Sequence, residues 1–225
     1  MIRSGTPDGG AATSRAGEPA DFTLAVESLQ TAKVRADIEV SPIRPPQRLA
    51  PYSYAVGAEV QAPELLDGSG RSLDDVPADA SGSAFGRLIL LYDPEGHEAW
   101  SGTIRLVAYI QVDMEADLAT DPMLPEVAWS WLTDALGVPE GQNSTPPNAD
   151  PSAPVLTALG GTVTSTTSVR YGDIAGPPRA HQLELRASWT ALDPALAPHL
   201  EAFCDVLAAA AGLPPTGVTR LKSTD

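Results

Sequence analysis

The strongest hydrophobic pattern in the chain is a pair of strands predicted between residues 88 and 113. Residues 88–92 are all apolar, which is typical of a strand covered on both faces. Apolar and polar residues alternate through 103–113, so one face of this strand is buried and the other is mixed. Asp93, Pro94 and Gly96 lie between them and are residues favoured in turns. The pattern predicts a hairpin that turns at 93–96 and occupies the middle of a sheet.

Further alternation predicts four more strands, at 34–40, 52–60, 162–171 and 182–189. Three segments have apolar residues at helical spacing. The first helix begins near Asp21, the second begins at Pro125 and stops at Gly137, and the third follows Asp193 and stops at Gly212.

These elements predict an α+β fold with the order α-β-β-β-β-α-β-β-α. The expected architecture is a twisted antiparallel sheet of about six strands with helices packed on one face. A weak strand–strand–helix repeat occurs at about 84–139 and again at about 159–214. The order is similar to that of the secretion-chaperone type of α+β fold, whose members bind partner polypeptides and often dimerise. Such a likeness of fold does not by itself imply function.

The composition of the remaining segments predicts one domain with flexible tails and loops. Residues 1–20 and 215–225 are expected to be disordered tails around a single α+β domain at 21–214. Residues 63–83 and 139–154 are rich in Pro, Gly, Ser, Asp or Asn and are predicted to be flexible loops.

Charge and cysteine content narrow the class of protein. The formal net charge is -15, which argues against a nucleic-acid partner and against an anionic membrane surface. Cys204 is the single cysteine, so no internal disulfide can form, as is usual in a reducing compartment. Residues 1–20 lack the apolar core of a signal peptide, and no apolar stretch is long enough to span a bilayer. We therefore expect a soluble cytoplasmic protein.

Two groups of metal-ligating residue types occur in the sequence. The first group, which could coordinate a metal, consists of Asp93, Glu95, His97 and Glu98. Turn formation, however, accounts for Asp93 and Gly96 without a ligand. The carboxylates at 113, 115 and 117 lack the glycine and the bidentate glutamate of a calcium-binding loop. The sequence therefore predicts no metal site.

No catalytic constellation is predicted either. Cys204 has no basic neighbour in sequence and is expected to be a small buried residue. The chain lacks a nucleophile elbow and a phosphate-binding glycine loop. We therefore predict no catalytic residue and no cofactor, and we leave the question of enzymatic activity open.

The tryptophans offer the best candidates for an interaction surface. Trp131 and Trp189 lie on apolar stripes and are expected in the core. Trp is enriched at the energetic centres of protein interfaces. The candidate surface is Trp100, Pro122, Met123, Pro125 and Trp129. The sequence favours a non-catalytic protein-binding or assembly module, with an unknown protein partner and a possible homodimer, using this surface or an exposed sheet edge.

Two alternatives stay open. A small-molecule binder or enzyme would have a pocket between helices and sheet, with Arg105, Tyr109 and His199 as candidate polar groups. An acidic regulator that occupies a basic partner would need its carboxylates gathered on one face.

Several blocks of residues also resemble a known family. They are RLAPY at 48–52, LYDPEGHEAW at 91–100, DPMLPEVAWSWL at 121–132 and RASWT at 186–190. The chain resembles an uncharacterised actinobacterial family, domain of unknown function 3000, over roughly residues 22–213. The resemblance implies a cytoplasmic bacterial protein, and it implies no established activity, cofactor or catalytic residue.

Overall fold

The computed structural model describes residues 17–61, 84–173, 176 and 178–215. In these ranges six strands form one antiparallel sheet, and four α-helices accompany it. The elements are α1 (Ala20–Gln30), β1 (Ile38–Pro42), β2 (Tyr52–Val60), β3 (Ala84–His97), β4 (Gly102–Met114), α2 (Ala116–Ala119), α3 (Leu124–Ala135), β5 (Leu156–Val169), β6 (Arg179–Ala191) and α4 (Ala197–Ala210). The predicted α+β class and the sheet of six strands are confirmed.

The predicted hairpin lies in the middle of the sheet. The strand order is β1-β2-β3-β4-β6-β5, so β3 and β4 are the two central strands. Their register pairs Leu90 with Leu106 and Leu88 with Ala108. All four of these side chains are buried, which explains why the apolar pattern is strongest here.

The turn of this hairpin is not where the sequence placed it. β3 continues through 93–97 with a shift of register after Tyr92, and the chain reverses in a 3₁₀ turn at Glu98–Trp100. The Asp93 side chain accepts a hydrogen bond from the Glu95 N–H at 3.1 Å, and Gly96 has a φ of 75°. The predicted turn at 93–96 is therefore wrong in position, because these residues form an irregularity within β3 instead of ending it.

The core lies between the helices and one face of the sheet. Side chains at alternate positions, such as Leu106 of β4 and Trp189 of β6, are fully buried there. α4 supplies the largest helical share, with Phe203 and Leu207 completely covered. A Cβ on Gly86 would lie 2.6 Å from the Phe203 ring, so this glycine allows α4 to approach the sheet closely.

The strand–strand–helix repeat is present in the order of elements. β3 and β4 precede α3, while β5 and β6 precede α4. The two hairpins join through their second strands, β4 and β6, and α3 packs against α4. Both helices stop at a glycine in the left-handed region, Gly137 and Gly212, each with a φ of 66°.

Some boundaries differ from the prediction. The first strand begins at Ile38 and not at residue 34, and α1 begins at Ala20 with no side-chain cap from Asp21. α4 begins at Ala197, a few residues after the predicted start. The short helix α2 has a single turn, too short for helical periodicity to reveal it.

The loop predicted at 139–154 has a defined attachment to the sheet. The Thr145 N–H donates to the Leu156 carbonyl at 3.0 Å, and the Leu156 N–H donates to Thr145 Oγ1 at 2.8 Å. The Leu159 N–H donates to the Asn143 carbonyl at 2.9 Å. The loop is thus more constrained than its composition predicts. The predicted loop at 63–83 lies outside the described residues, as do most of the two predicted tails.

Candidate functional site

The five residues of the predicted interaction surface do not form one patch. Trp100 lies at the β3–β4 tip, before β4 begins, whereas Pro122, Met123 and Pro125 follow the other end of β4. A strand of that length spans about 40 Å at roughly 3.3 Å per residue. The structure therefore separates Trp100 from the three residues of the α2–α3 turn.

Trp100 is integrated into the hairpin tip. Its half-buried ring stacks on His97, with centroids 4.9 Å apart and planes 22° apart. Its carbonyl accepts a hydrogen bond from the hydroxyl of Thr190 on β6. These contacts join the tip to the neighbouring strand and give Trp100 a structural role.

Trp129 is half-buried and packs against the sheet. A Cβ on Gly161 of β5 would lie 2.8 Å from Trp129 Cζ3 and would also collide with the Arg186 carbonyl. The indole therefore lies across a strand position where only glycine leaves room. This packing attaches α3 to β5 and removes much of Trp129 from any free surface.

Three large apolar side chains remain exposed close to the α2–α3 turn. Leu118 is 54% exposed, Met123 is 57% exposed and Val127 is 41% exposed. Leu118 and Val127 line a groove of about 870 Å³, which we call the α2–α3 groove. Its apolar lining also includes Met114, Leu124, Trp131 and Ala211. The groove lies between the end of β4, the two helices α2 and α3, and the C-terminal turn of α4.

Local sequence explains how this groove forms. The Asp121 side chain accepts a hydrogen bond from the Met123 N–H at 2.8 Å, which fixes a tight turn after α2. Pro125 lies in the first turn of α3, where its missing N–H costs nothing. Leu124 and Ala128 are then buried, while Val127, on another side of the helix, stays exposed.

The charged groups of the groove are all acidic. Asp113, Glu115 and Asp121 line it together with the apolar side chains, and no Lys, Arg or His of the described residues does so. Residues 209–212 contribute the C-terminal end of α4, where the helix dipole is negative. The site therefore combines an apolar surface with a negative electrostatic potential.

Sequence reasoning missed Leu118 and Val127 as lining residues. Both are apolar residues in an acidic stretch of sequence, and this contrast could have indicated that they are exposed. Their juxtaposition depends on the turn at Asp121, which no periodicity indicates.

A second, smaller cleft lies at the other end of the sheet. Its volume is about 430 Å³, and α1, β1, β2 and α4 surround it. The lining is mainly apolar, for example Leu29, Val56 and Leu200, and its side-chain polar groups are those of Gln30, Ser41 and Tyr54. This composition suits an apolar ligand better than acid–base chemistry.

The residues predicted for a pocket between helices and sheet do not converge. Arg105 and Tyr109 occupy β4 positions that alternate with the buried ones, so they lie on the face opposite the helices. His199 is buried on the helical side. Neither cleft is lined by any of the three. The sheet therefore separates Arg105 and Tyr109 from His199.

Arg105 and Tyr109 are held by neighbours on that outer face. The Arg105 guanidinium donates to Ser188 Oγ at 2.6 Å, to Thr190 Oγ1 at 3.1 Å and to the Ala158 carbonyl at 3.0 Å, and burial lowers its pKa. The Tyr109 hydroxyl donates a hydrogen bond to Glu184 at 2.9 Å, and burial raises the pKa of Tyr109. Both side chains cross-link β4 to β6.

His199 has a structural environment. Its Nδ1 accepts a hydrogen bond from Trp189 Nε1 at 3.0 Å, and its Nε2 has no partner among the described residues. Burial lowers the pKa of His199 to about 3, so the ring is neutral at physiological pH. A neutral ring enclosed in the core, away from both clefts, is poorly placed for general acid–base catalysis.

Two further features of the described residues bear on reactivity, the environment of Cys204 and the grouping of potential metal ligands. Cys204 is 2% exposed, and burial raises the pKa of its thiol to about 12, which disfavours the thiolate. No cluster of three or more potential metal ligands occurs among residues 17–61, 84–173, 176 and 178–215.

Comparison with known proteins places the chain within a family but does not identify an activity. A family model described as "Protein of unknown function (DUF3000)" matches residues 18–219. This confirms the family to which the sequence blocks pointed. No curated protein and no solved structure gave a significant match. Within the described ranges, no helix has both the length and the apolar character needed to cross a membrane.

Proposed function

We propose a protein-binding role for this chain, which belongs to the DUF3000 family of proteins of unknown function. The binding site is the α2–α3 groove, and the role is non-catalytic and cytoplasmic. One observation carries the proposal: Leu118 and Val127 are exposed apolar side chains on a groove of about 870 Å³. Single exposed apolar residues are ordinary, but a grouped set is a feature of interaction sites.

The chemistry of the groove indicates what it would bind. Its apolar lining suits the apolar face of a partner segment, and an amphipathic helix is the common occupant of such grooves. Asp113, Glu115 and Asp121 would attract Lys or Arg residues beside that face. We therefore infer a partner protein with an apolar, basic-flanked helical segment.

A second candidate function is binding of a small apolar molecule. The observation in its favour is the cleft of about 430 Å³ lined by Leu29, Val56 and Leu200. Its volume lies in the usual range for small ligands, about 300–1,000 Å³. Few polar groups there would orient a substrate, so we rank this function below protein binding.

The test is affinity purification from cells of the natural source. It compares two variants, each of which replaces a leucine whose side chain is about half exposed. Leu118→Asp places a carboxylate in the groove, and it should reduce recovery of the partner at least tenfold because the apolar contact is lost. Leu192→Asp is the control, because Leu192 is 56% exposed and lies outside the groove. Quantitative mass spectrometry measures the recovered proteins, and thermal unfolding checks that both variants fold.

The proposal requires at least one protein that wild type and Leu192→Asp retain equally and that Leu118→Asp loses. Equal recovery of every protein by both variants would contradict it.

A further inference from the structure

The two edges of the sheet differ sharply in their protection against pairing with another strand. β1 is five residues long and carries Glu39 and Pro42, features that discourage pairing at an edge. β5 is 14 residues long, and it contains no charged residue and no proline. Such a long uncharged edge offers a row of backbone groups with which another strand can pair.

Part of the β5 edge is already covered within the chain. The segment around Asn143 and Thr145 hydrogen-bonds to Leu156 and Leu159. From residue 160 to residue 169 no described backbone bond reaches the outer edge. Except for Val163, the side chains of this stretch are exposed.

The ladder with β6 shows which backbone groups point outward. The Arg170 N–H donates to the Pro178 carbonyl at 2.9 Å, on the β6 side. The register is continuous from residue 160 onward, and backbone groups alternate in direction along an antiparallel strand. The N–H and C=O groups of the odd positions from 161 to 169 therefore point away from β6.

The two strands at this edge carry no excess of negative charge, although the net charge of the chain is -15. Arg186 and Arg179 lie opposite Thr162 and Val169 in the neighbouring strand, and Arg170 follows β5 directly. Glu184, opposite Thr164, is the carboxylate in this part of β6. Because the Arg186 guanidinium pairs with Glu184 at 2.7 Å, no carboxylate of β5 or β6 is left without a positive neighbour to repel a second copy.

We propose that two copies of this chain pair antiparallel along β5 to form one continuous sheet of twelve strands. A twofold axis makes such a contact self-complementary, because each edge offers the same alternation of donors and acceptors. The hydroxyl-bearing side chains of 162–168 would form cross-strand pairs, which stabilise antiparallel strands. This proposal is independent of the α2–α3 groove.

The test uses Ser165, the centre of the free edge. Ser165→Pro removes an outward N–H and fills the space of a pairing strand, while proline is tolerated at an edge position that makes no internal ladder bond. Ser165→Ala is the matched control, because it keeps the N–H and loses only the hydroxyl contact to the Ala119 carbonyl at 3.3 Å. Light scattering after size exclusion measures the mass in solution.

We expect wild type and Ser165→Ala to have twice the chain mass of 23.4 kDa, and Ser165→Pro to have the monomer mass. Hydrogen exchange of the Ser165 and Thr167 amides should slow as protein concentration rises. A monomeric wild type at the highest attainable concentration overturns the proposal, and so does a dimeric, folded Ser165→Pro. If Ser165→Pro fails to fold, the double variant Thr164→Lys/Thr166→Lys replaces it in the same measurement of mass. Its like charges would oppose pairing, so we expect this variant to have the monomer mass.

Discussion

Two polar side chains, Arg105 and His199, hydrogen-bond to residues of other secondary-structure elements. Arg105 donates to β6 hydroxyls and to the Ala158 carbonyl, and His199 accepts from Trp189. The sequence placed Trp189 on an apolar stripe and made His199 a candidate polar group. It could not show that they meet, because this depends on how the chain from β6 to α4 folds back. Candidate polar groups were therefore easier to find in sequence than to assign to one site.

His199 should make the stability of the protein depend on pH. Burial lowers the pKa of His199 from 6.5 to about 3, so the unfolded chain binds a proton that the folded chain does not. The free energy of unfolding should therefore fall as the pH falls from about 6.5 towards 3, by up to about 1.4 kcal/mol per pH unit. His199→Gln keeps an acceptor for Trp189 but does not titrate. The free energy of unfolding of this variant should therefore decrease less steeply as the pH falls.

Urea unfolding of both proteins between pH 7 and pH 4.5 measures this difference. Identical dependence on pH in wild type and in His199→Gln would show that the imidazole is not held neutral by the fold.

At the scale of elements, long periodic segments were predictable and short irregular ones were not. The six strands, the helices α1, α3 and α4 and the central hairpin follow from patterns that recur over many residues. The single turn of α2 and the reversal at Glu98–Trp100 are too short to have a period. Asp93 and Gly96 have the chemistry of a turn, yet strand pairing continues on both sides of them. Tertiary pairing therefore decided where this hairpin reverses.

The packing of α3 on β5 gives a test at this scale. Gly161→Ala should destabilise the protein by about 1–3 kcal/mol, because its Cβ would lie 2.3 Å from the Arg186 carbonyl and 2.8 Å from Trp129. Gly160→Ala is the matched control, since a Cβ there has nothing within 4 Å. The control should be neutral or slightly stabilising, because alanine restricts the unfolded chain. Equal free energies of unfolding for the two variants would contradict the close packing of Trp129 and the β6 backbone around residue 161.

At the scale of the whole molecule, the two proposed association surfaces differ in their chemistry. The α2–α3 groove is apolar and acidic, whereas the β5 edge is polar and uncharged. Composition revealed the net acidity but not its distribution, because residues 113–121 and 209–212 meet only in the folded chain. The sequence directed attention to Pro122, Met123 and Pro125, which lie in the turn beside the groove. It gave no means of separating them from Trp100 at the opposite end of β4.

The most direct test of the proposed function is photo-crosslinking from the groove in cells of the natural source. A photoreactive phenylalanine derivative replaces Leu118 in one protein and Leu192 in the control. We predict that position 118 gives a specific adduct whose crosslinked peptide is apolar and flanked by Lys or Arg, and that position 192 does not. Absence of any adduct specific to position 118 would contradict the claim that this groove binds a partner protein.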